Sequence, residues 1–344
     1  MEGRLGRATV SAGYAGALTD FAVSKGADRE ALLARAGISE EDLADQDNRV
    51  AMDRYVVLMR TAKELCGEPA LALQFSEGTA WEAFSIVGLI CRSAGSMGEA
   101  LGQLNRYRRL IAEVDVRGKA ERFQLLRRDG GLWLEDQRPD PNTFPELTES
   151  ALSRFACEVT RHYGDVPFVK ALQVTHPRPA HASEYERIFK APVTFGAERN
   201  AMLIDESWLS LGTTAPNGYV FGVFNSYADA LLKRLESEKS VRGKVESVAM
   251  AMLHRGEVRR EAVAAQLNMS AGALYRRLKA EGVTFEQLLD DLRRDMANGY
   301  LDNDQLSVNE AAYLLGYSEP AAFSRAFKRW TGKSPRARKA AQKD

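Results

Sequence analysis

The apolar positions of the first 110 residues recur mainly with the period of an amphipathic helix. The segments "DREALLARAG" and "RVAMDRYVVLMRTAKELCG" carry apolar residues at helical spacing, and each ends in a glycine, which is a common stop signal. The stretch "GEALGQLNRYRRLIAEV" follows the same pattern. The beginning of the chain is therefore predicted to be mostly helical.

The pattern changes beyond residue 120, where short strands alternate with helix. In "ERFQLLRRDGGLWLEDQRP" an Asp-Gly-Gly turn separates two short apolar runs, which predicts a β-hairpin. The segment "TFPELTESALSRFACEVTRHYG" returns to a helical period and ends at Gly164, whereas "ALQVTHPRP" and "APVTFGAERNAMLIDESWL" predict further strands. We therefore predict an α+β domain over residues 1–211.

A linker and an all-α domain are predicted to follow. The Gly-, Pro- and Thr-rich stretch "LGTTAPNGYVFGVFN" marks the exit from the first domain, and "SYADALLKRLESEKS" predicts a connecting helix, so that residues 212–240 form the linker. From 241 to 344 the pattern predicts short helices. Thr284-Phe-Glu-Gln287 and Ser307-Val-Asn-Glu310 both fit the capping box, and Gly256, Gly282, Gly316 and Gly332 stand where helices are expected to end.

This last domain contains a repeat. The segments "AAQLNMS" (264–270) and "AYLLGYS" (312–318) match, and "ALYRRLKAEG" (273–282) matches "AFSRAFKRWTG" (322–332). Each copy predicts a short helix, a tight turn and a second amphipathic helix, which is the layout of a helix-turn-helix, at 258–280 and 308–330. The long helix predicted between them spans about 27 Å at 1.5 Å per residue. That length is close to one DNA turn of ~34 Å, so the two motifs can reach successive major grooves.

The second helix of each copy has an apolar and a basic side. Phe323, Phe327 and Trp330 recur at i, i+4 and i+7, which predicts a core stripe rather than a set of base-stacking rings. Basic residues project mostly from the opposite side. They are Arg276 and Lys279 in the first copy, and Arg325, Lys328 and Arg329 in the second.

Charge supports this division of the chain. The 344 residues carry no net charge, yet residues 240–344 hold 18 Lys+Arg against 13 Asp+Glu, and the rest of the chain holds 29 against 34. A basic end on an acidic body indicates a polyanionic partner, although an excess of this size is weak evidence by itself.

Composition and motifs exclude several other classes. No apolar run reaches the roughly 18–20 residues that a membrane span needs, and no signal-peptide pattern is present, so a cytoplasmic protein without a membrane partner is expected. The three cysteines are scattered, which predicts reduced thiols. The histidines form no H-E-x-x-H motif and none stands beside a cysteine, and no P-loop or G-x-S-x-G elbow occurs. Neither an enzyme, nor a metal site, nor a cofactor is predicted.

Residues 241–339 resemble the C-terminal domain of AraC/XylS-type transcription regulators. The resemblance rests on "VAAQLNMSAGALYRRLKAEGVTFEQLLDDLRRDMANGYL" and on "LSVNEAAYLLGYSEPAAFSRAFKRWTGKSP". The segments "LLARAGISEEDL", "GEPALALQF" and "PVTFGAERNAMLIDESWL" are similar to the arabinose-binding-like effector domain of the subgroup that contains ornithine-utilisation-type regulators.

The resemblance implies a set of DNA-contacting residues. Arg276 and Arg325 are expected to reach the major groove, where the guanidinium fork suits guanine; the alternative is a solvated helix arginine. Lys279, Lys328 and Arg329 are expected to meet phosphates or water. The family's base-reading positions are occupied here by Gly272, Tyr275, Glu319, Pro320, Ala321 and Ser324.

Candidates for an effector site lie in the first domain. Four aromatic residues are candidates to line an apolar pocket, the alternative being ordinary core packing; they are Trp81, Phe84, Tyr107 and Trp133. Arg106, Arg108 and Arg109 are candidates to receive a carboxylate, with a solvated helix face as the alternative.

The sequence thus favours a DNA-binding transcription regulator, an activator, controlled by an unidentified small-molecule effector. The expected partners are double-stranded DNA, RNA polymerase and a second copy of the chain as a homodimer. Two alternatives compete with this interpretation. A sensor-type enzyme fused to a helical tail needs a catalytic constellation, and an effector-independent protein–protein adaptor predicts no salt-dependent DNA binding.

Overall fold

A computed structural model describes residues 8–117, 121–164, 166–213, 215–253, 258–302 and 306–340. The chain divides into two compact units, and the division falls between Leu232 and Lys233. The first unit combines helices with a β-sheet, and the second is helical over its described residues. This confirms the predicted fold class of an α+β domain followed by an all-α domain with two helix-turn-helix motifs.

The N-terminal unit begins with helices, as the apolar period predicts. Asp28 caps α2 through its side chain, and Gly37 and Gly67 end α2 and α4 in the left-handed conformation. The helices of this unit are α1 (Ala12–Ser24), α2 (Arg29–Ala36), α3 (Glu40–Leu43), α4 (Met52–Cys66), α5 (Leu71–Gly78), α6 (Ile86–Ser93), α7 (Met97–Ile111), α8 (Pro145–Tyr163), α9 (Ala182–Phe189) and α10 (Gly218–Lys239), which continues past the division.

Two sheets accompany these helices. The strands are β1 (Thr9–Ser11), β2 (Arg49–Ala51), β3 (Phe123–Arg128), β4 (Gly131–Asp136), β5 (Val169–Val174), β6 (Val193–Phe195) and β7 (Ala201–Ile204). The larger sheet has the order β3-β4-β7-β5-β6; all neighbours are antiparallel except β5 and β6, which are parallel. Short 3-10 helices lie at Trp81–Ala83, Pro141–Thr143 and Glu206–Ser210.

The predicted hairpin is confirmed as β3 and β4, whereas the small β1–β2 sheet was not predicted. Asp129 and Gly130 take positive φ values of 52° and 72°, which suits a tight hairpin turn. Strands β1 and β2 have three residues each, too few to show an alternation. Arg49 fixes this sheet to α7, because its guanidinium donates to the carbonyl oxygens of Leu110 at 2.6 Å and Arg109 at 3.0 Å.

The C-terminal unit consists of short helices around two small cores. Its helices are α11 (Val241–Leu253), α12 (Arg260–Gln266), α13 (Ala271–Ala280), α14 (Phe285–Asp302), α15 (Val308–Leu314), α16 (Pro320–Thr331) and α17 (Pro335–Ala340). One core lies around Leu274, Leu278 and Leu288, and the other lies around Phe323 and Phe327. Residues of α14 contribute to both cores, so this helix joins the two helix-turn-helix motifs as predicted.

The predicted helix ends of this unit are confirmed where the structure describes them. Thr284 with Gln287 and Ser307 with Glu310 make both hydrogen bonds of the capping box. Gly332 ends α16 with a φ of 77°. Gly256, another predicted helix end, lies outside the described residues.

The predicted connecting helix is α10, but most of it belongs to the N-terminal unit. Two residues of α7 hold α10 to the N-terminal unit through Asp229. The Tyr107 hydroxyl donates to Asp229 Oδ1 at 2.8 Å, and Arg106 pairs with the same carboxylate at 2.9 Å. The linker bounds of 212 and 240 stay a prediction. Within the described ranges, no helix is both long enough and apolar enough to cross a membrane.

Candidate functional site

Helix α13 is the second helix of the first motif and presents a polar face. Ser270 caps it by accepting a hydrogen bond from the Ala273 amide at 3.1 Å. Leu274 and Leu278, at i and i+4, are buried and hold the helix against its core. The predicted DNA-contacting residues of this helix are all exposed; they are Gly272, Tyr275, Arg276 and Lys279.

Helix α16 is its counterpart in the second motif. Pro320 occupies the first turn, where its missing N–H costs little, and Glu319 precedes it in an extended conformation. Phe323 and Phe327 are fully buried and Trp330 packs against them, which confirms the predicted core stripe. The remaining predicted positions are exposed or half-buried on this helix; they are Ala321, Ser324, Arg325, Lys328 and Arg329.

The basic residues of the two helices differ in their partners. In the described part of the chain, no carboxylate lies within 4.0 Å of Arg276, Lys279, Arg325 or Lys328, so these four exposed cations keep their full charge toward solvent. Arg329 instead donates to Asp290 on α14 at 2.8 Å. A partner carboxylate reduces the attraction of Arg329 for phosphate relative to the other four.

The start of α13 has room for close approach to another molecule. A methyl group added at Gly272 would meet no atom within 4 Å. The glycine is therefore not required by packing within the unit, and its small size leaves an open surface beside Arg276.

The N-terminal unit contains a cavity of about 120 Å³. Its wall comes from α6, α7, α8, the start of β3 and the 3-10 helices at Trp81–Ala83 and Glu206–Ser210. The apolar part of the wall is formed by Trp81, Met97, Ala100, Leu101, Leu104, Ile111, Phe123, Leu147, Ala151, Phe155 and Trp208. A cavity of this size and composition accommodates a molecule of about one ring, since engineered apolar cavities of ~150 Å³ bind benzene.

Gly88 is required for the shape of this wall. A Cβ at this position would lie 2.6 Å from the Trp81 carbonyl carbon and 2.7 Å from the Glu82 amide nitrogen. Because both contacts are to backbone, a larger residue forces the Trp81 segment away from α6. The glycine thus allows Trp81 to stand in the cavity wall.

Three of the four arginines in the wall have acceptors for their charge. Arg122 makes two hydrogen bonds with the buried Asp136, both at 3.2 Å. Arg92 donates to Glu82 at 2.6 Å. Arg154 donates to the Thr79 carbonyl and hydroxyl and packs over Phe75 at 5.4 Å. These side chains are structural supports of the wall.

Arg108 is the exception among them. Its Nη1 donates to the Asn105 carbonyl oxygen in the preceding turn of α7 at 3.0 Å, and its buried Nε has no partner among the described residues. Burial lowers the pKa of Arg108 and the charges of Arg109 and Arg122 lower it further, while the charge of Glu121 acts in the opposite direction without outweighing them. The guanidinium is therefore partly desolvated, and it forms no ion pair with a carboxylate of the described residues.

A cluster of titratable groups also lies in the wall, which the sequence did not predict. Ligand atoms of Glu82, Glu158 and His162 lie within 4.8 Å of one another. Both carboxylates are already paired, Glu82 with Arg92 and Glu158 with Arg161, each at 2.6 Å. The i, i+4 spacing of Glu158 and His162 on α8 was the available signal, but Glu82 is distant in the sequence. Because arginines balance these carboxylates, the cluster favours no cation.

The cysteine in the wall is not a nucleophile. Burial raises the pKa of the Cys91 thiol to about 12, so it stays protonated. All three cysteines are free thiols, as predicted; Cys157 is buried, and Cys66 and Cys91 are half-buried.

The structure brings one of the four predicted aromatic residues to the cavity. Trp81 lines it, whereas Phe84, Tyr107 and Trp133 lie outside its lining. Phe84 packs against Phe75 and Tyr14, Tyr107 points to Asp229, and the ring of Trp133 lies under the guanidinium of Arg199 at 4.7 Å. These three are buried by packing inside the unit, which is the alternative that the sequence left open.

The three arginines predicted to bind a carboxylate also lie in different surroundings. Arg106 pairs with Asp229, Arg109 pairs with Glu113 at 3.4 Å, and Arg108 lines the cavity. Successive residues of α7 point in different directions because the helix turns by about 100° per residue. The other lining residues come from segments far apart in the chain, and no local motif marks them.

Two family models match the chain. Residues 26–212 match the arabinose-binding domain found at the N-terminus of AraC transcription regulators. Residues 263–340 match a helix-turn-helix domain. The two matches correspond to the sheet-containing unit and to the two motifs around α14.

Several regulators are similar to this chain in sequence or in structure. The ornithine utilization regulator of Pseudomonas aeruginosa is 29% identical over 336 residues, which cover 95% of each chain. The HTH-type transcriptional regulator VirS of Mycobacterium tuberculosis is 25% identical, over 97% of this chain and 96% of the relative. The crystal structure of transcriptional regulator CdpR from Pseudomonas aeruginosa is 22% identical with a TM-score of 0.39, covering 90% of this chain and 96% of that one.

The first family model matches more than half of the chain, and the second matches its helix-turn-helix domain, whose helices expose basic residues. Together these matches identify the protein family. The chain belongs to the AraC family of transcription regulators with an arabinose-binding-like N-terminal domain, and it is a regulator that binds double-stranded DNA, not an enzyme.

Proposed function

We propose that this regulator is controlled by a small-molecule effector that binds in the N-terminal cavity. The observation that carries the proposal is the cavity itself, which combines an apolar wall with a partly buried arginine that has no ion-pair partner among the described residues. Such a site has a few polar groups that orient a ligand and an apolar surface that gives affinity. An effector that binds one conformation of the protein better shifts its population, and with it the affinity for DNA.

The proposed DNA contacts are made by α13 and α16. Arg276 and Arg325 are proposed to enter the major groove, and Lys279 and Lys328 to contact phosphates. Their support is exposure without a nearby carboxylate. Pro320 and Ala321 have no hydrogen-bonding side-chain groups, so α16 is proposed to grip the backbone and read shape more than bases.

The DNA contacts are tested by titrating the full chain with DNA from upstream of its own gene at several salt concentrations. Four cations per protomer, at roughly −0.9 for each phosphate neutralised, predict a slope of log K against log salt of about −3.6 per protomer. A flat salt dependence would favour the adaptor alternative over DNA contact by these helices.

Effector control is tested by screening small molecules for a raised unfolding temperature of the full chain, followed by operator binding with each hit. A ligand of the native state raises the midpoint, because it binds the folded but not the unfolded chain. We expect such a ligand to change operator affinity as well. Hits that stabilise the chain and leave operator affinity unchanged would contradict effector control.

We propose further that the protein acts as a homodimer through the first half of α10. Tyr219, Val223 and Tyr227 stand at i, i+4 and i+8 with exposed fractions of 82%, 50% and 48%. A contiguous exposed apolar stripe of this kind is typical of an interaction surface. Sedimentation of the wild type and of Val223→Asp measures the prediction: a dimer for the first and a monomer for the second.

The proposed outcome of DNA binding is activation through contact with RNA polymerase. Its support is the family alone. A reporter gene driven by the regulator's own target promoter decides it, because an activator raises expression when the regulator is present. Lower expression in its presence would make the protein a repressor and leave the DNA contacts unaffected.

A further inference from the structure

We propose that the effector is a small monocarboxylic acid with an apolar body of about one ring or a short branched chain, and that Arg108 receives its carboxylate. This inference deepens the proposed effector control and rests on it for its biological meaning. It concerns the chemistry of the ligand, which the family match leaves undefined.

The first argument is that the arginines of the cavity wall differ in their hydrogen-bond partners. Arg92, Arg122 and Arg154 each have a carboxylate or carbonyl acceptor across the wall. Arg108 has one bond to a carbonyl of its own helix, and its buried Nε has no acceptor among the described residues. A buried charged donor without an acceptor is unfavourable, and a carboxylate satisfies it with two parallel bonds.

The second argument is an independent unpaired donor in the same wall. Trp208 lines the cavity, and its buried indole Nε1 also has no hydrogen-bond partner within the described ranges. Trp208 lies on the 3-10 helix Glu206–Ser210, and Arg108 lies on α7, which that helix contacts. Two unpaired donors favour a ligand that accepts hydrogen bonds, and the positive charge of Arg108 favours one that carries a negative charge.

The third argument excludes a cationic ligand. Glu82 and Glu158 are the acidic groups of the wall, and Arg92 and Arg161 pair with them at 2.6 Å. An ammonium group would have to displace these arginines to reach a carboxylate. The acidic groups are therefore part of the wall, whereas Arg108 is the charge left for the ligand.

The size of the cavity limits the rest of the ligand. A volume of about 120 Å³ is close to that of cavities that hold a single benzene ring. Much of the surrounding wall is apolar, with Leu101, Leu104 and Phe155 among its side chains. The class that fits this volume and this surface is a short aliphatic or aromatic acid.

The test uses calorimetric titration of the full chain with benzoate, phenylacetate, hexanoate and 3-methylbutanoate, each paired with its neutral amide. We expect at least one acid to bind at least tenfold tighter than its amide. In Arg108→Gln this preference should disappear. Arg109→Gln is the matched control, because it removes the same charge from the next position of α7, where the side chain pairs with Glu113 and does not line the cavity.

Two further variants guard against a folding defect in Arg108→Gln. Arg108→Lys keeps the charge and should still prefer the acid over the amide, at lower affinity, because lysine lacks the planar fork. Trp208→Phe keeps the ring and loses the N–H, and should weaken acid binding several-fold while binding of the amide changes less. Circular dichroism of each variant verifies the fold.

The outcomes separate this inference from effector control. The inference is overturned if no acid binds more tightly than its amide, or if Arg108→Gln keeps the preference of the wild type. If an acid binds through Arg108 but operator affinity stays the same, the site is correct and effector control fails. If a neutral compound binds and changes operator affinity, effector control holds and the acid class is wrong.

Discussion

The two units differ in how their functional surfaces are built. In the C-terminal unit, the candidate DNA contacts lie on two short helices, each within a single stretch of about ten residues, α13 and α16. In the N-terminal unit, the cavity wall combines residues from Tyr14 to Thr213. The first kind of surface follows from helix period and capping, whereas the second requires a complete tertiary fold.

The buried side of each unit shows the same contrast. The second helix-turn-helix is held by a cluster of seven buried residues, which include Phe323 and Phe327. A core cluster of the N-terminal unit contains 25 buried residues drawn from five helices, both strands of the small sheet and the segments beside them. Loss of one aromatic ring therefore removes a larger share of the smaller core.

The largest expected effect comes from that small core. Phe327→Ala should lower the free energy of unfolding of the C-terminal unit by ~3–5 kcal/mol, because it removes a fully buried ring. Denaturant unfolding followed by circular dichroism measures this loss, and specific DNA binding should be lost with it. Tyr313→Ala, at a position that is 57% exposed on α15, is the control and should change little. Loss of the N-terminal transition as well would show that the two units do not unfold separately.

The next effect tests a buried polar network that belongs to the N-terminal unit. Tyr185 donates to Glu149 Oε1 at 2.6 Å, and its hydroxyl also lies 2.8 Å from His176 Nε2. Burial acts to raise the pKa of Glu149, but His181, Tyr185 and the charge of Lys63 outweigh it and hold the pKa below its ordinary value of 4.5. The stability that the ionised carboxylate contributes is present above that value and is lost as the pH falls below it.

Glu149→Gln should therefore destabilise the N-terminal unit at neutral pH by ~1.5–3 kcal/mol, the usual value of a hydrogen bond to a charged group. The difference from the wild type should narrow as the pH drops below 4.5. Unfolding midpoints are measured from about pH 3 to about pH 7, a range that spans the ordinary pKa of a carboxyl group. They give the loss of stability at neutral pH and its change with pH. A constant difference over the whole range would mean that Glu149 has the same pKa in the folded and the unfolded chain.

A smaller effect concerns the surface of the C-terminal unit. Arg276→Ala should weaken operator binding by ~1–3 kcal/mol and relax the preference at one base pair if this side chain reads a base. Arg277→Ala is the matched control, because Arg277 is exposed on the same helix and lies against Met269 Sδ at 3.9 Å. Binding titrations with operator and scrambled DNA distinguish the roles: an equal loss on both would assign Arg276 to a phosphate.

The smallest effect compares the same local motif in both units. Ser307 caps α15 and Ser39 caps α3, and both make a complete capping box. Ser307→Ala should cost ~1 kcal/mol. Ser39→Ala should cost less, at the low end of ~0.5 kcal/mol, because α3 has no buried residue and its loss exposes no core. Equal losses in denaturant unfolding would show that capping strength does not depend on what the helix buries.

Several elements were predictable because their causes are local. The Asp129-Gly130 turn requires positive φ values that these residue types adopt readily, and it specifies the β3–β4 hairpin. The i, i+4, i+7 aromatic stripe of α16 specifies its buried face before any partner is known. The family resemblance added the expected roles of residues such as Arg276 and Ser324, which the pattern alone does not distinguish from other exposed positions.

Other features were not predictable. Phe84, Tyr107 and Trp133 are residue types that often line pockets, yet the fold places them in packing contacts outside the cavity lining. The three arginines of α7 were equivalent candidates in the sequence. Asp229 and Glu113 took two of them as ion-pair partners, and one of these carboxylates is more than a hundred residues away along the chain.

The sequence by itself determined the division of the chain, the duplicated helix-turn-helix with its buried and basic faces, and the family. These depend on period, capping and turn chemistry, which act over a few residues. The tertiary structure alone decided where the cavity lies, which residues line it and that Arg108 lines it without an ion pair to a carboxylate of the described residues. Those properties depend on distant segments packed together, and burial then determines which charged groups are left without a partner.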